Sequence, residues 1–278
     1  MIEELVQRAL AEDLGRGDLT TAAVVPEGAR VRARVEQREP GVIFGLDAAA
    51  EVFRQAGGGE LEFRAVAQEG IWQEGGEVAA IDGPAAGVLA GERLALNLLG
   101  RLSGVATLTA RYVAAVEGTG ARILDTRKTT PGLRELEKAA VVAGGGVSHR
   151  AGLYDAILVK ENHALLAGGV GEAARLALAN RGDAAFVEIE VEGLAELDEV
   201  LAAGVDRVLL DDMSLDDMRE GTRRTHAAGA TTEASGSVSL EAARGVAETG
   251  VDFISVGALT HSAPALDLSL LLEADPRR

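Results

Sequence analysis

The sequence predicts an α/β chain in two parts. The first, over residues 1–120, reads as short antiparallel strands with helices; the second, over residues 121–264, reads as a (β/α) barrel. Two observations point to the barrel. The β-type runs ARILDT, DAILVK, AFVEIE, DRVLLDD, ATTEAS and DFISVG alternate with Ala-rich helical segments, the pattern of parallel βα units. The candidate strand ends Glu190, Asp211, Glu233 and Val256 are spaced by 21, 22 and 23 residues, a near-constant period that suits a barrel. A doubly wound open sheet is the main rival, but no GxGxxG opens a first helix.

The elements follow in order. A helix is expected over residues 3–14, and "GRGDLTT" after it as a turn. VRARVEQ (31–37), LEFRAVA (61–67) and EVAAIDG (77–83) alternate in polarity as half-buried strands do. Between the first two, LDAAAEVFRQAG is a helix closed by Gly57. From Ala90 to Glu117 the period is helical, with a break expected around Ser103–Gly104.

Composition narrows the function. With 47% hydrophobic residues, 278 positions can bury a sizeable core. No apolar run reaches membrane-spanning length, and MIEELVQRAL is an acidic amphipathic start rather than a signal peptide, so a soluble cytoplasmic protein is expected. The absence of Cys excludes disulfides, thiolate metal sites and thiol nucleophiles. A net charge of −17 argues against nucleic acid and anionic membrane as partners.

Of 27 basic residues only three are Lys: Lys128, Lys138 and Lys160. All lie within residues 121–160, a window of seven bases and four acids in an otherwise acidic chain. Lys138, beside Glu135 and Glu137, reads as part of a solvated helix face. Lys128 and Lys160 fall at strand ends, where βα-loops converge and barrel enzymes carry their chemistry. Those ends supply Thr126-Arg127-Lys128, Lys160, Glu190, Asp211, Glu233 with Ser235, and Gly257. "GGGVSHR" adds His149 and Arg150. Cations so gathered suit an anionic substrate. "EASGSVSL" opens a helix with Ser235, Gly236 and Ser237, which can hold a phosphate on free N–H groups, though ordinary capping by Ser237 or Ser239 explains these residues equally well. Glu190 and Asp211 on adjacent strands could share Mg²⁺ with substrate phosphates, or be neutralised by Lys160 or Arg127. The four His are too dispersed for a metal site, and His226 reads as a surface residue.

"DTRKTTPGLRELEKAAVVAGGGVSHRAGLYDAILVKENH", "VEIEVEGLAELDEVL", "LLDDMS", "EASGSVSLEAA" and "TGVDFISVGALTHSAPALDLSL" closely resemble the quinolinate phosphoribosyltransferases, as does "GERLALNLLGRLSGVAT" at 91–107. The resemblance implies an N-terminal open α/β sandwich over residues 1–110, rejoined by a C-terminal helix over residues 265–278. It implies an open or incomplete α/β barrel over residues 111–264. It implies transfer of phosphoribosyl from phosphoribosyl pyrophosphate to quinolinate with Mg²⁺, giving nicotinate mononucleotide, pyrophosphate and CO₂ for NAD biosynthesis. On this chain the family's dicarboxylate pocket falls on Arg127, His149 and Arg150, with Lys128 and Lys160 as catalytic cations nearby. Its metal and ribose carboxylates fall on Glu190 and Asp211, and its 5′-phosphate loops on Ser235, Gly236, Gly257 and His261. Arg93, in GER, resembles an arginine donated across a homodimer interface; larger assemblies stay open. Ser237 stands where a second Gly is expected. The rivals are a sister phosphoribosyltransferase of another pyridine acid, a molybdate-transport-associated homologue, a non-catalytic phosphate-binding barrel, and an aldolase using Lys160 as a Schiff-base amine.

Overall fold

The structure is a computed structural model that describes residues 2–273. The chain forms two compact units, Met1–Leu108 with Ala263–Arg278, and Thr109–Ser262.

In the first unit, α1 (Ile2–Leu14) is followed by α2 (Leu19–Val24) where a turn was expected. The Asp18 carboxylate accepts from the Thr20 and Thr21 N–H groups at 3.0 Å each, so "GDLTT" starts a helix by satisfying donors that a turn would leave open. Then come β1 (Arg30–Gln37), β2 (Gly41–Val42), α3 (Leu46–Ala56), β3 (Glu62–Ala65), β4 (Trp72–Gln73), β5 (Gly76–Pro84) and α4 (Ala85–Ala115). The main sheet is antiparallel in the order Leu268–Glu273, β1, β5, β3. Alternation in RVRARVEQ buries Ala33, Val35 and Gln37.

The C-terminal segment is a correction. LSLLLE forms a strand over Leu268–Glu273, not the start of a helix over 265–278. The open edge of β1 offers a full ladder of hydrogen bonds, from Arg32 opposite Glu273 to Gln37 opposite Leu268. That pairing outweighs the good helix propensity of Leu, which is worth only tenths of a kcal/mol per residue. Residues 274–278 lie outside the described residues.

The expected break in α4 is also absent: the helix runs unbroken for 31 residues. Ser103 and Gly104 are there for packing. The Ser103 hydroxyl accepts from the Phe44 N–H at 3.0 Å, and a Cβ at Gly104 would stand 2.0 Å from the Pro264 carbonyl oxygen.

In the second unit six parallel strands, β6 (Arg122–Leu124), β7 (Ile157–Val159), β8 (Val187–Val191), β9 (Arg207–Asp211), β10 (Thr231–Ser235) and β11 (Phe253–Ser255), pair in the order β6-β11-β10-β9-β8-β7. The chain starts at one edge, crosses to the other, and steps back strand by strand. β6 and β7 do not pair with each other, so the ring of this α/β barrel is incomplete. One parallel bridge, Leu124 to Val147, extends the β6 edge. The helices α5 (Arg134–Ala143), α6 (Glu161–Ala167), α7 (Val170–Ala179), α8 (Leu194–Ala203), α9 (Leu215–Ala227), α10 (Leu240–Ala247) and α11 (Ala258–His261) complete it. β8 and β9 are buried along almost their whole length, as parallel strands covered on both faces must be. Period two then puts Glu188 and Glu190, Arg207, Leu209 and Asp211, Glu233 and Ser235, and Phe253 and Ser255 on one face.

Gly104→Ala is expected to destabilise the protein by about 2–3 kcal/mol, since the added methyl meets backbone that cannot rotate away. A urea midpoint equal to the parent's would show that the contact can relax.

Candidate active site

At the C-terminal ends of the barrel strands lie two cavities that share a wall. One, of about 330 Å³, is lined by cations: Arg127 and Lys128 after β6, His149 and Arg150 from the long β6–β7 connection, and Lys160 after β7. Leu158 and Leu209 give it an apolar patch. The other, of about 530 Å³, is lined by Asp211 and Asp212 after β9, the Ser235–Ser239 loop after β10, and Gly257 and His261 after β11. Thr126, Lys128, Lys160, Ser235 and Ser255 line both.

The cationic loop is held from beneath by buried acids. Asp125, fully buried at the end of β6, accepts from Lys138 Nζ at 2.5 Å and from the His149 N–H at 2.8 Å. Lys138 is thus not on a solvated face. Its side chain is 8% exposed, and it neutralises the carboxylate that ties the Arg127 and His149 loops together. Burial raises the Asp125 pKa, and Lys138 pulls it back. Glu137, also buried, accepts from the Thr130 N–H at 2.9 Å and from its hydroxyl at 2.7 Å. Arg134 adds a bracket, donating to the Thr129 hydroxyl at 3.0 Å and to the Ala151 carbonyl at 3.4 Å.

These anchors hold like charges close. Burial and the neighbouring Arg127 charge lower the Arg150 pKa. Lys160 pairs with Glu190, and Lys138 with Asp125. Among the described residues the Lys128 ammonium has no ion pair, and its stem lies over Gly257, where a Cβ would come within 3.0 Å of it. Gly257 therefore lets Lys128 and the His261 ring approach the last strand closely.

Glu233 corrects a strand-end expectation. It sits one layer below Ser235, 1% exposed, inside the barrel. There His149 Nε2 meets Glu188 at 3.0 Å and Glu233 at 3.2 Å, and Arg207 lies 3.6 Å from Glu233 between the Phe186 and Phe253 rings. Among the described residues this is the one trio whose donor atoms could converge on a metal. Two carboxylates, one guanidinium and one imidazolium already neutralise each other, so it needs no ion. Burial pushes the His149 pKa down, but the two carboxylates overcome it and raise it to about 9. The Arg150 N–H, 2.6 Å from Nδ1, opposes that protonation; two buried anions outweigh one backbone dipole. Burial and the Glu233 charge raise Glu188 to about 7.

The phosphate-type loop is partly resolved into roles. Ser239 caps α10, accepting from the Ala242 N–H at 3.3 Å, whereas the Ser237 hydroxyl makes no hydrogen bond among the described residues. Asp211 lines the larger cavity. Glu190 lines a separate acidic cavity with Glu161, Glu192 and Glu196, so the two carboxylates do not face one space. Arg93 is exposed on α4 and lines neither of the two described cavities. His226 is half-exposed and binds Asp252 at 2.8 Å. Sequence reasoning missed Tyr112, Asp212, Ser255, Glu188, Arg134 and Glu137. The alternation in VEIE, which puts Glu188 on the Glu190 face, and the doubled Asp in LLDDMS were the available signals.

Residues 105–271 match the family model described as quinolinate phosphoribosyl transferase, C-terminal domain, and residues 18–103 match its N-terminal domain. The chain belongs to the quinolinate phosphoribosyltransferase family. It is 43% identical to the nicotinate-nucleotide pyrophosphorylase [carboxylating] of Mycobacterium leprae over 272 residues, covering 96% of this chain and 95% of that one. It is 39% identical to the probable enzyme of that name from Bacillus subtilis, covering 97% and 92%. The solved nicotinate-nucleotide pyrophosphorylase of Francisella tularensis superposes with a TM-score of 0.92 at 36% identity, covering 98% and 96%. The quinolinate phosphoribosyltransferase fold thus accounts for both units, from the four-stranded sheet to the open barrel.

The buried His149 cluster makes stability depend on pH. His149 holds its proton up to about 9 when folded, against about 6.5 unfolded, so the folded state binds more protons across that window. Its contribution is full below pH 6.5 and is expected to be lost as pH rises through 9, by an amount on the order of 3 kcal/mol. Urea unfolding of the parent and His149→Gln across this range checks the sign; parallel pH curves would count against it.

Proposed function

We propose that this chain transfers phosphoribosyl from phosphoribosyl pyrophosphate to quinolinate, with loss of CO₂, giving nicotinate mononucleotide for NAD biosynthesis. The observation that carries the reading is the shared wall. A cation-lined cavity of about 330 Å³ adjoins a cavity of about 530 Å³ with a Ser/Gly loop and carboxylates, and Lys128 and Lys160 border both. Two anionic substrates bound side by side need that arrangement.

Arg127 and Arg150 are planar forks suited to the two ring carboxylates. The pyridine nitrogen needs no base: its lone pair forms the bond to the anomeric carbon as the bond to pyrophosphate oxygen breaks. Holding the two reactants in line supplies much of the rate. Lys128, which has no ion pair among the described residues, is placed to offset charge developing on the departing pyrophosphate. Once ribosylated, the ring nitrogen is cationic, and its charge stabilises the electron pair that stays on C2 as CO₂ departs; a proton is then taken up at C2. Ser235, Gly236, Gly257 and His261 are the residues for the 5′-phosphate.

Hard carboxylate oxygens among hydroxyls fit Mg²⁺. Asp211, beside Asp212 on the phosphate side, is the protein residue that would hold it; Glu190, paired with Lys160 and lining a separate cavity, would not. Mg²⁺ would supply neutralisation of the pyrophosphate. We place the reaction in the cytoplasm and in a homodimer, with exposed Arg93 reaching the neighbouring subunit's dicarboxylate pocket.

A coupled assay with Mg²⁺ and phosphoribosyl pyrophosphate, offering quinolinate and nicotinate separately, tests the reaction. CO₂ and mononucleotide are expected from quinolinate; turnover of nicotinate alone would move the activity to a sister transferase. Lys128→Ala and Arg150→Ala should each lower kcat by roughly 10²–10³ while melting like the parent. If the site is shared, mixing inactive Arg93→Ala and Arg150→Ala proteins restores part of the activity through hybrid dimers. Mixtures as inactive as their components would refute the sharing.

A further inference from the structure

Tyr112, near the end of α4, is 4% exposed and lines the larger cavity. Its hydroxyl donates to the Val238 carbonyl at 3.0 Å. Val238 lies in the Ser235–Ser239 loop, whose backbone is unusual. Gly236 has φ +104°, and Ser237, a residue with a Cβ, has φ +40°. A left-handed L-residue costs roughly 1–2 kcal/mol and persists only where its surroundings hold it.

The loop is held from two sides. On one, the Asp212 N–H donates to the Ser235 carbonyl at 3.2 Å, and a Cβ at Gly236 would stand 2.1 Å from Asp212 Oδ1. On the other is Tyr112. Burial and the Glu241 charge keep the phenol's pKa above its usual value, so the hydroxyl stays a donor. Since Ser239 is committed to capping α10, the Gly236 and Ser237 N–H groups and the Ser235 hydroxyl are the loop's candidates for a ligand.

We propose that Tyr112 is a positioning residue for the phosphate side of the reaction: its hydroxyl latches the Ser235–Ser239 loop in the left-handed conformation that presents its donors to the cavity. The proposal rests on the reading that this cavity takes the phosphoribosyl group. Tyr112 touches no reacting atom; it acts through Val238.

Tyr112→Phe keeps the ring and removes the latch. In the full chain its KM for phosphoribosyl pyrophosphate should rise roughly five- to tenfold, the loss of one hydrogen bond. KM for quinolinate and kcat should stay within about twofold, because a latch on the phosphate loop leaves the Arg pocket intact. Ser237→Gly in the same background should recover most of the loss, because glycine adopts the left-handed conformation without the steric cost. An unchanged KM in Tyr112→Phe, an equal rise in both KM values, or no recovery with Ser237→Gly overturns the proposal. Calorimetric titration with inorganic phosphate reads the latch without turnover. Parent protein that binds phosphate but turns over neither pyridine acid would sink the functional reading and leave the latch to stand on the phosphate affinities. Equal affinities in parent and Tyr112→Phe would sink the latch alone, and a parent that binds no phosphate would sink both.

Discussion

The site depends on a single buried carboxylate. Asp125 binds Lys138 and the His149 backbone through one oxygen, and so ties the loop after β6 to the loop before β7. Without it, the loops that carry Arg127, Lys128 and Arg150 would lose the buried tie between them, and like charges disperse unless something fixed opposes them. The second tier, His149 with Glu188, Glu233 and Arg207, repeats the device deeper in the barrel. The protein thus pre-assembles positive charge at the cavity by placing compensating, buried carboxylates beneath it and at its floor. An anionic ligand then meets cations that are already gathered and oriented.

Much of this was legible in the sequence, and the reasons are specific. The strand–helix rhythm and the spacing of Glu190, Asp211, Glu233 and Val256 located the barrel strands because parallel strands buried on both faces leave a strong apolar signature. The strand-end rule then found Lys128, Lys160 and Asp211. What misled was depth. Glu233 and Lys138 are charged, and charge reads as surface or function; only the register of β10 and the burial of Asp125 show that they are internal counter-ions. The Leu-rich tail misread as helix belongs to the same class of error, because a free sheet edge far away in sequence, Arg32–Gln37, decided it. Ser103 and Gly104 failed for a related reason: their small size serves a neighbour, not their own helix.

Strain is concentrated where the chemistry needs it. Among the described residues the two non-glycine positions with positive φ are Asp212 and Ser237, and both line the larger cavity. A Ser in place of a Gly at 237 carries a conformational cost but adds a hydroxyl at the loop's crest. The chain accepts the cost at that position and braces it with Tyr112 and Asp212.

The unclosed ring has a consequence for behaviour in a crowded solution. A complete barrel has no free strand edges; this one ends in β6 and β7, and β6 is partly covered by its bridge to Val147. Each is three residues long and is followed at once by charged residues. An edge so short offers too few backbone groups to template a foreign strand. The opening that lets the long β6–β7 connection reach the site is therefore kept from becoming a point of self-association by the brevity of the strands that border it.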